Sequence, residues 1–200
     1  MWRALPRIRR RRVRAPLASR RNNREAAARG NDDIEANRKE ASVSAFRCIP
    51  IPHETAMRFR DTGRDDSGET LHRRVVQTKG SPCRHCLRLG EPGETVLLGR
   101  YNLPLPRGVY WTPSPIWVHA NDCALFDATN TIPETVRGSL VSVRAYDPDG
   151  MCLYDLGHVC EGTEVDEPLA RALADDRTAY VNIHTAKPGC WLCRVERTTG

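Results

Sequence analysis

The chain has 200 residues, a length typical of one domain, and its formal net charge is +6. The charge is uneven: residues 1–42 carry 13 Lys or Arg and 5 Asp or Glu, whereas the other 158 residues carry 18 and 20. Eleven of the twelve aromatic residues also follow residue 42. No stretch approaches 18 apolar residues, which excludes a transmembrane helix. We predict a basic arm over residues 1–42 and one globular domain over residues 43–200.

The arm is too highly charged to form a core of its own. Ten of its first 24 residues are Arg, none is acidic, and positions 9–12 are four consecutive arginines. We therefore expect a disordered, solvated arm. Two alternatives stay open: an organelle transit peptide, and an arm that binds nucleic-acid phosphates by counterion release. Such binding would be non-specific, because no aromatic residues are interleaved with the basic ones, and we expect none from the domain itself.

The first half of the domain contains short β-like segments separated by turn residues. Strands are predicted at 44–49, 71–78, 95–101 and 116–119, where β-branched and aromatic residues are bounded by Gly or Pro. Residues 54–60 are expected to form only a short helical turn, and residues 61–70 a polar loop.

The second half begins with a clear alternation at 139–146, in which Val141, Val143 and Ala145 share one face. A turn at 147–150 leads to a second strand at 151–160, so that the two form a hairpin. Residues 167–175 carry an apolar helical stripe, with Asp166 as the expected N-cap, and strands follow at 178–184 and 190–196. The sequence therefore predicts an α+β fold, with a mostly antiparallel sheet and one main helix near the C-terminus.

Four residues are spaced as a metal site. Cys83 and Cys86 form a CxxC pair on a turn that follows Pro82, and His119 and Cys123 form a second local pair, which shares one face if a helix begins near Asn121 or Asp122. Three cysteines and one histidine are a typical ligand set for tetrahedral zinc. Two local pairs suit such a site, because each pair is easy to preorganise. We therefore predict zinc bound by Cys83, Cys86, His119 and Cys123.

Other interpretations of the cysteines remain open. Cys190 and Cys193 could complete an all-cysteine site with the CxxC pair, although positions 190 and 193 face opposite sides of a regular strand. The thiols could also be small buried side chains without a ligand. A redox-active CxxC is a further alternative, because His85 between its two cysteines could lower a thiol pKa.

His184 and Cys190 are the candidate catalytic residues. They flank a tight turn at Pro188-Gly189, so an antiparallel pairing could bring them together and let the imidazole generate a thiolate nucleophile. The alternative is a His184 that is hydrogen-bonded to the backbone and a Cys190 that is buried and inert. Beside them, Arg144, Tyr146 and Asp147 are predicted to form a polar patch, in which Arg144 either pairs with a carboxylate or binds an anion.

Five short motifs occur in a characteristic order. They are PCRHCL (82–87), EPGE (91–94), PIWVHA (115–120), SVRAYD (142–147) and HTAKPGC (184–190). This set resembles the bacterial family called domain of unknown function 1203, over about residues 43–197. The resemblance implies a small single-domain protein with no established activity, and it makes His184, Gly189 and Cys190 part of the family's C-terminal signature.

The sequence thus favours a cytoplasmic, zinc-stabilised binding or accessory domain with no membrane partner. Two alternatives belong to other classes: a thiol-dependent enzyme that uses Cys190 and His184, and weak nucleic-acid binding through the arm. Four protein ligands would close the coordination shell of the metal, which favours a structural role over catalysis.

Overall fold

A computed structural model describes residues 45–104 and 106–198. The predicted disordered arm over residues 1–42 lies outside the described residues. The strands are β1 (Phe46–Ile49), β2 (His72–Val75), β3 (Thr95–Tyr101), β4 (Ser114–His119), β5 (Leu140–Tyr146), β6 (His158–Glu161), β7 (Tyr180–Thr185) and β8 (Trp191–Arg197). The α-helices are α1 (His53–Thr62), α2 (Glu134–Arg137) and α3 (Asp166–Ala174), with 3-10 turns at Tyr154–Leu156 and Gly162–Glu164.

The strands form two antiparallel sheets. The larger sheet has the order β1-β8-β7-β5-β6, and the smaller one has the order β2-β3-β4. The predicted α+β character and the mostly antiparallel pairing are confirmed. None of the helices in the described part of the chain has the length and apolar composition needed to span a bilayer.

The main core lies between the larger sheet and α3. As the alternation of β5 predicts, Val141, Val143 and Ala145 are fully buried. They pack in one cluster with the apolar stripe of α3, including Leu169 and Leu173. Burying each such side chain contributes about 1.5–3 kcal/mol, so this cluster is a major source of stability.

A second core lies beneath the smaller sheet. It contains Phe59 of α1, Ile116 and Val118 of β4, and Trp191 of β8. Trp191 is 1% exposed and belongs to the larger sheet, and its backbone N–H donates to the hydroxyl of Ser114 at 2.9 Å. It therefore connects the two sheets.

The prediction of one main helix is wrong, because α1 has ten residues and α3 has nine. The segment 54–60 has few apolar residues, so its pattern predicts little more than a turn. Tertiary packing extends it: Ala56 and Phe59 are completely buried, and the N–H of Gly63 donates to the carbonyl of Phe59 at the C-terminal end. Helices depend more on such packing than on intrinsic propensity.

Three local predictions also differ from the structure. The hairpin partner of β5 is β6, which begins only at His158, because a 3-10 turn follows the bridge between Tyr146 and Cys152. Asp166 is the first residue of α3 rather than its N-cap, and its carboxylate pairs with Arg137. No helix begins near Asn121, where the chain bends after β4.

Candidate metal centre

The CxxC pair lies on a tight turn that is fixed from both sides. The N–H of Cys83 donates to the carbonyl of Arg88, and the carbonyl of Cys83 accepts from Leu87, both at 3.0 Å. The fully buried Arg84 anchors the turn, since its backbone N–H donates to Trp117 of β4 and its Nε donates to the carbonyl of Trp191 at 2.8 Å. These hydrogen bonds fix the backbone of the turn that carries the two cysteines.

The second pair comes from the end of β4. His119 is the last residue of that strand, and its backbone N–H donates to Sγ of Cys83 at 3.4 Å. The chain bends after Ala120, whose N–H donates to Thr95 of β3, and this bend returns Cys123 to the cluster. The bend, and not the predicted helix, therefore brings Cys123 close to His119.

The structure brings all four predicted ligands together. Sγ of Cys83, Cys86 and Cys123 and one nitrogen of His119 lie within 4.8 Å of one another. Nδ1 of His119 is 3.4 Å from Sγ of Cys86. Tetrahedral zinc at ordinary bond lengths would separate two sulfurs by about 3.8 Å and a sulfur from a nitrogen by about 3.6 Å. The cluster could therefore hold a metal ion after only a small contraction.

Positive and polar groups surround the sulfur of Cys123. Nη2 of Arg60 donates to it at 3.2 Å, and Nδ1 of His85 lies 3.3 Å from it. A thiolate only accepts hydrogen bonds, so Nδ1 of His85 carries the proton when Cys123 is ionised. Nε2 of His85 then accepts from Nδ1 of His53 at 3.1 Å. Three thiolates and a divalent cation leave one negative charge, and Arg60, which also pairs with Asp122 at 2.9 Å, places a positive charge beside it.

A carboxylate lies behind the histidine. Nε2 of His119 is 3.3 Å from Oε2 of Glu94, and Glu94 in turn accepts from both terminal nitrogens of Arg88, at 2.6 and 2.9 Å. Hydrogen bonds from Arg88 lower the pKa of Glu94 to about 2, so this carboxylate is ionised. Histidines that bind metals generally donate their other N–H to a carboxylate, and a small rotation of the ring or of Glu94 would give the present contact the geometry of such a hydrogen bond.

When no metal is bound, contacts within the cluster shift the pKa values of Cys83, Cys86 and His119. Contacts with Cys123 and Cys86 lower the pKa of Cys83 well below its ordinary value, whereas contacts with Cys123 and Cys83 raise the pKa of Cys86. Burial would lower the pKa of His119, but its contacts with Cys123 and Cys83 raise that pKa to about 9. A metal ion would displace these protons, so its binding weakens in acid.

The surroundings of the cluster were largely missed by the sequence analysis. Glu94 belongs to the EPGE motif but has no spacing that marks it as a partner of His119. Arg60 lies 63 positions before Cys123. His85 was considered only as a redox modulator, although it is fully buried against the site. These three roles depend on tertiary contacts, for which local spacing carries no signal.

The alternative all-cysteine site does not form. Among the described residues, the cluster that could hold a metal contains neither Cys190 nor Cys193. Cys193 is fully buried in the main core, where its contact with Cys48 and its burial raise its pKa well above the ordinary value. Cys190 lies half-buried immediately before β8.

The structure does not join His184 to Cys190. Nδ1 of His184 is 3.0 Å from the carbonyl oxygen of Gly189, and the backbone N–H of Cys190 donates to the hydroxyl of Thr185 at 3.1 Å. No hydrogen bond between the His184 imidazole and the Cys190 thiol is found among the described residues. A nucleophilic role for Cys190 stays a prediction.

The predicted polar patch divides into two parts. Arg144 and Tyr146 are adjacent members of one face of β5 and border the same groove. Asp147 instead closes the following turn, because its Oδ1 accepts the N–H groups of Asp149 and Met151 at 3.0 and 2.8 Å. Gly150 completes this turn with a φ of 78°, a conformation that glycine adopts readily.

Comparison with known proteins yields one family. No curated protein and no solved structure matches the chain. The profile of the family described as "Protein of unknown function (DUF1203)" matches residues 80–197. That segment includes all four residues of the metal cluster as well as Arg144 and His184. Because the match covers more than half of the 200 residues, the chain belongs to the DUF1203 family.

Proposed function

We propose that this protein is a zinc-stabilised binding or accessory domain, with zinc held by Cys83, Cys86, His119 and Cys123. The observation that carries the proposal is the convergence of these four donor atoms within 4.8 Å. Three cysteines and one histidine are a typical donor set for structural zinc. A set of four protein ligands leaves no open position for a substrate, which favours a structural role over catalysis.

The position of the cluster supports a role in folding. It joins the CxxC turn, the end of β4 and, through Arg60, helix α1, which are separated along the chain by β2 and β3. In small zinc domains the metal contributes on the order of 10–16 kcal/mol at neutral pH. Zinc in this protein would stabilise the second core, to which Cys83 belongs.

The decisive experiment is metal analysis of the full chain, purified without chelators. We expect one zinc per chain by elemental analysis, and a large loss of thermal stability when a strong chelator removes it. Cys123→Ser should lower the zinc content, whereas the matched control Cys152→Ser, which lies outside the cluster, should retain it. If Cys123→Ser fails to fold, substitution of cobalt for zinc in the unmodified protein gives an independent measurement, because thiolate ligation produces intense charge-transfer absorption. Protein without stoichiometric metal would contradict the proposal.

A further inference from the structure

One face of the larger sheet carries a row of polar and aromatic side chains that lie outside the candidate metal centre. The faces of β5 alternate, so Ser142, Arg144 and Tyr146 point away from the main core. In the antiparallel register, the residues of β7 opposite these three are His184, Asn182 and Tyr180, respectively. Directly opposed side chains on paired strands lie about 5 Å apart at Cβ. Six polar or aromatic side chains therefore form one continuous row on this face, in which Tyr146, Tyr180 and His184 are buried.

His184 is a deeply buried member of this row, with only 6% of its surface exposed. Its Nδ1 lies 3.0 Å from the carbonyl oxygen of Gly189, which can only accept, so Nδ1 carries the proton. Nε2 is then left with a lone pair, and this buried atom has no hydrogen-bond partner within the described part of the chain. A buried acceptor without a donor loses the hydrogen bonds that water would give it, which is unfavourable. The site therefore needs a group that donates a hydrogen bond.

Arg144 provides a positive charge that the fold does not neutralise. Its Nε donates to the hydroxyl of Ser142 at 3.2 Å, and none of the described carboxylates forms an ion pair with it. A second buried cation, Arg84, is close enough to lower the pKa of His184, and its own hydrogen bonds go to backbone carbonyls. This part of the protein therefore has an excess of positive charge and favours an anion.

The space around Arg144 can accept a small molecule. A groove of about 400 Å³ is lined by Arg144, Tyr146, Tyr110 and Tyr154, and such a volume lies within the usual range for ligand sites. A smaller space of about 30 Å³, large enough for one hydroxyl group or one water, lies on the side of His184 and Asn182. Arg144, Tyr146 and Tyr110 border both spaces, so the two spaces lie next to each other along Tyr146.

We propose that this groove binds a small hydroxycarboxylic acid with an apolar or aromatic body. The planar guanidinium of Arg144 would bind the carboxylate through paired hydrogen bonds. The hydroxyl group would donate to Nε2 of His184, and the tyrosine rings would cover the apolar body. A hydroxyl group fits this position better than an ammonium group, because the positive charges of Arg144 and Arg84 would repel an ammonium group.

The proposal is tested with two probes that differ by one hydroxyl group, mandelate and phenylacetate. Binding to the full chain is measured by calorimetry and by amide chemical shifts. We expect mandelate to bind at least about tenfold more tightly than phenylacetate, because only mandelate can donate to His184. Equal affinity for the two, no saturable binding of mandelate, or tighter binding of inorganic phosphate would each overturn the proposal.

Variants then separate the roles of the two residues. Arg144→Gln should weaken mandelate binding about tenfold or more, whereas His184→Gln should abolish the preference for mandelate over phenylacetate. The control is Arg171→Gln, which removes a positive charge from the exposed side of α3 and should leave binding unchanged. Should Arg144→Gln not fold, Arg144→Lys keeps the charge, loses the paired geometry, and should still weaken mandelate binding. Unchanged affinity in a folded Arg144 variant would contradict the proposal.

Discussion

Nε2 of His119 lies 3.3 Å from a carboxylate oxygen of Glu94, on the opposite side of the imidazole ring from the cysteine sulfurs. This relationship places a carboxylate beside Nε2, which has no hydrogen-bond partner among the described residues, while Nδ1 is directed at the cluster. It also connects the cluster to Arg88, which donates two hydrogen bonds to the same carboxylate. The predicted ligand is therefore held by a network that extends beyond the four donor residues.

The first prediction follows from this network. Glu94→Gln should reduce zinc affinity about 10–100-fold while leaving one zinc per chain at saturation, because the variant loses a charged partner of His119 but no ligand. Affinity is measured by competition with a chromophoric chelator. Glu91→Gln is the matched control, since Glu91 lies in the same turn but pairs with Lys79 instead. An unchanged affinity in Glu94→Gln would show that the carboxylate does not support the ligand.

The second prediction concerns the alternative cysteine pair. Cys193→Ser should keep its zinc, because Cys193 lies in the main core and outside the cluster. The variant should nevertheless be less stable by about 1–3 kcal/mol, since a hydroxyl replaces a fully buried thiol. Zinc content and urea unfolding measure the two effects separately. A folded variant that lost its metal would favour ligation by cysteines of β8.

The candidate ligands could be found from the sequence because each pair is local. CxxC and HxxxC keep their partners within four positions, so spacing alone identifies them. The residues that support them, Glu94 and Arg60, come from other elements and are positioned only by the pairing of β3 with β4 and by the packing of α1. Strand predictions succeeded where alternation is strong, as in β5, whereas α1 was underestimated because tertiary packing completes it.

The third prediction concerns the arm, residues 1–42, whose excess of basic residues distinguishes it from the domain. Deleting residues 1–40 should leave the melting temperature nearly unchanged, because that segment has one aromatic residue and few others that could bury apolar surface. Any binding to nucleic acid should disappear with the deletion, and in the full chain it should weaken steeply as salt increases. Calorimetry and a salt series of binding assays test these points. A fall of several degrees on deletion would mean that the arm packs on the domain.

The last prediction uses the burial of His184. Burial, together with the positive charge of Arg144, lowers the pKa of this histidine to about 4, from an ordinary value of 6.5. Between these two values the unfolded chain binds a proton at His184 that the folded protein does not bind. Acidification therefore favours unfolding: the destabilisation is absent above about pH 6.5, grows as the pH falls, and reaches about 3 kcal/mol near pH 4.

The measurement is the free energy of unfolding in urea at several pH values between 4 and 7. Carboxylates and metal ligands also titrate over this range, so the informative quantity is the difference between the unmodified protein and His184→Gln. Removing the buried imidazole should make the stability of the variant fall less steeply in acid, whereas the exposed control His158→Gln should follow the unmodified protein. Parallel profiles for the unmodified protein and His184→Gln would contradict the prediction, because they would mean that His184 accepts its proton as easily in the folded protein as in the unfolded chain.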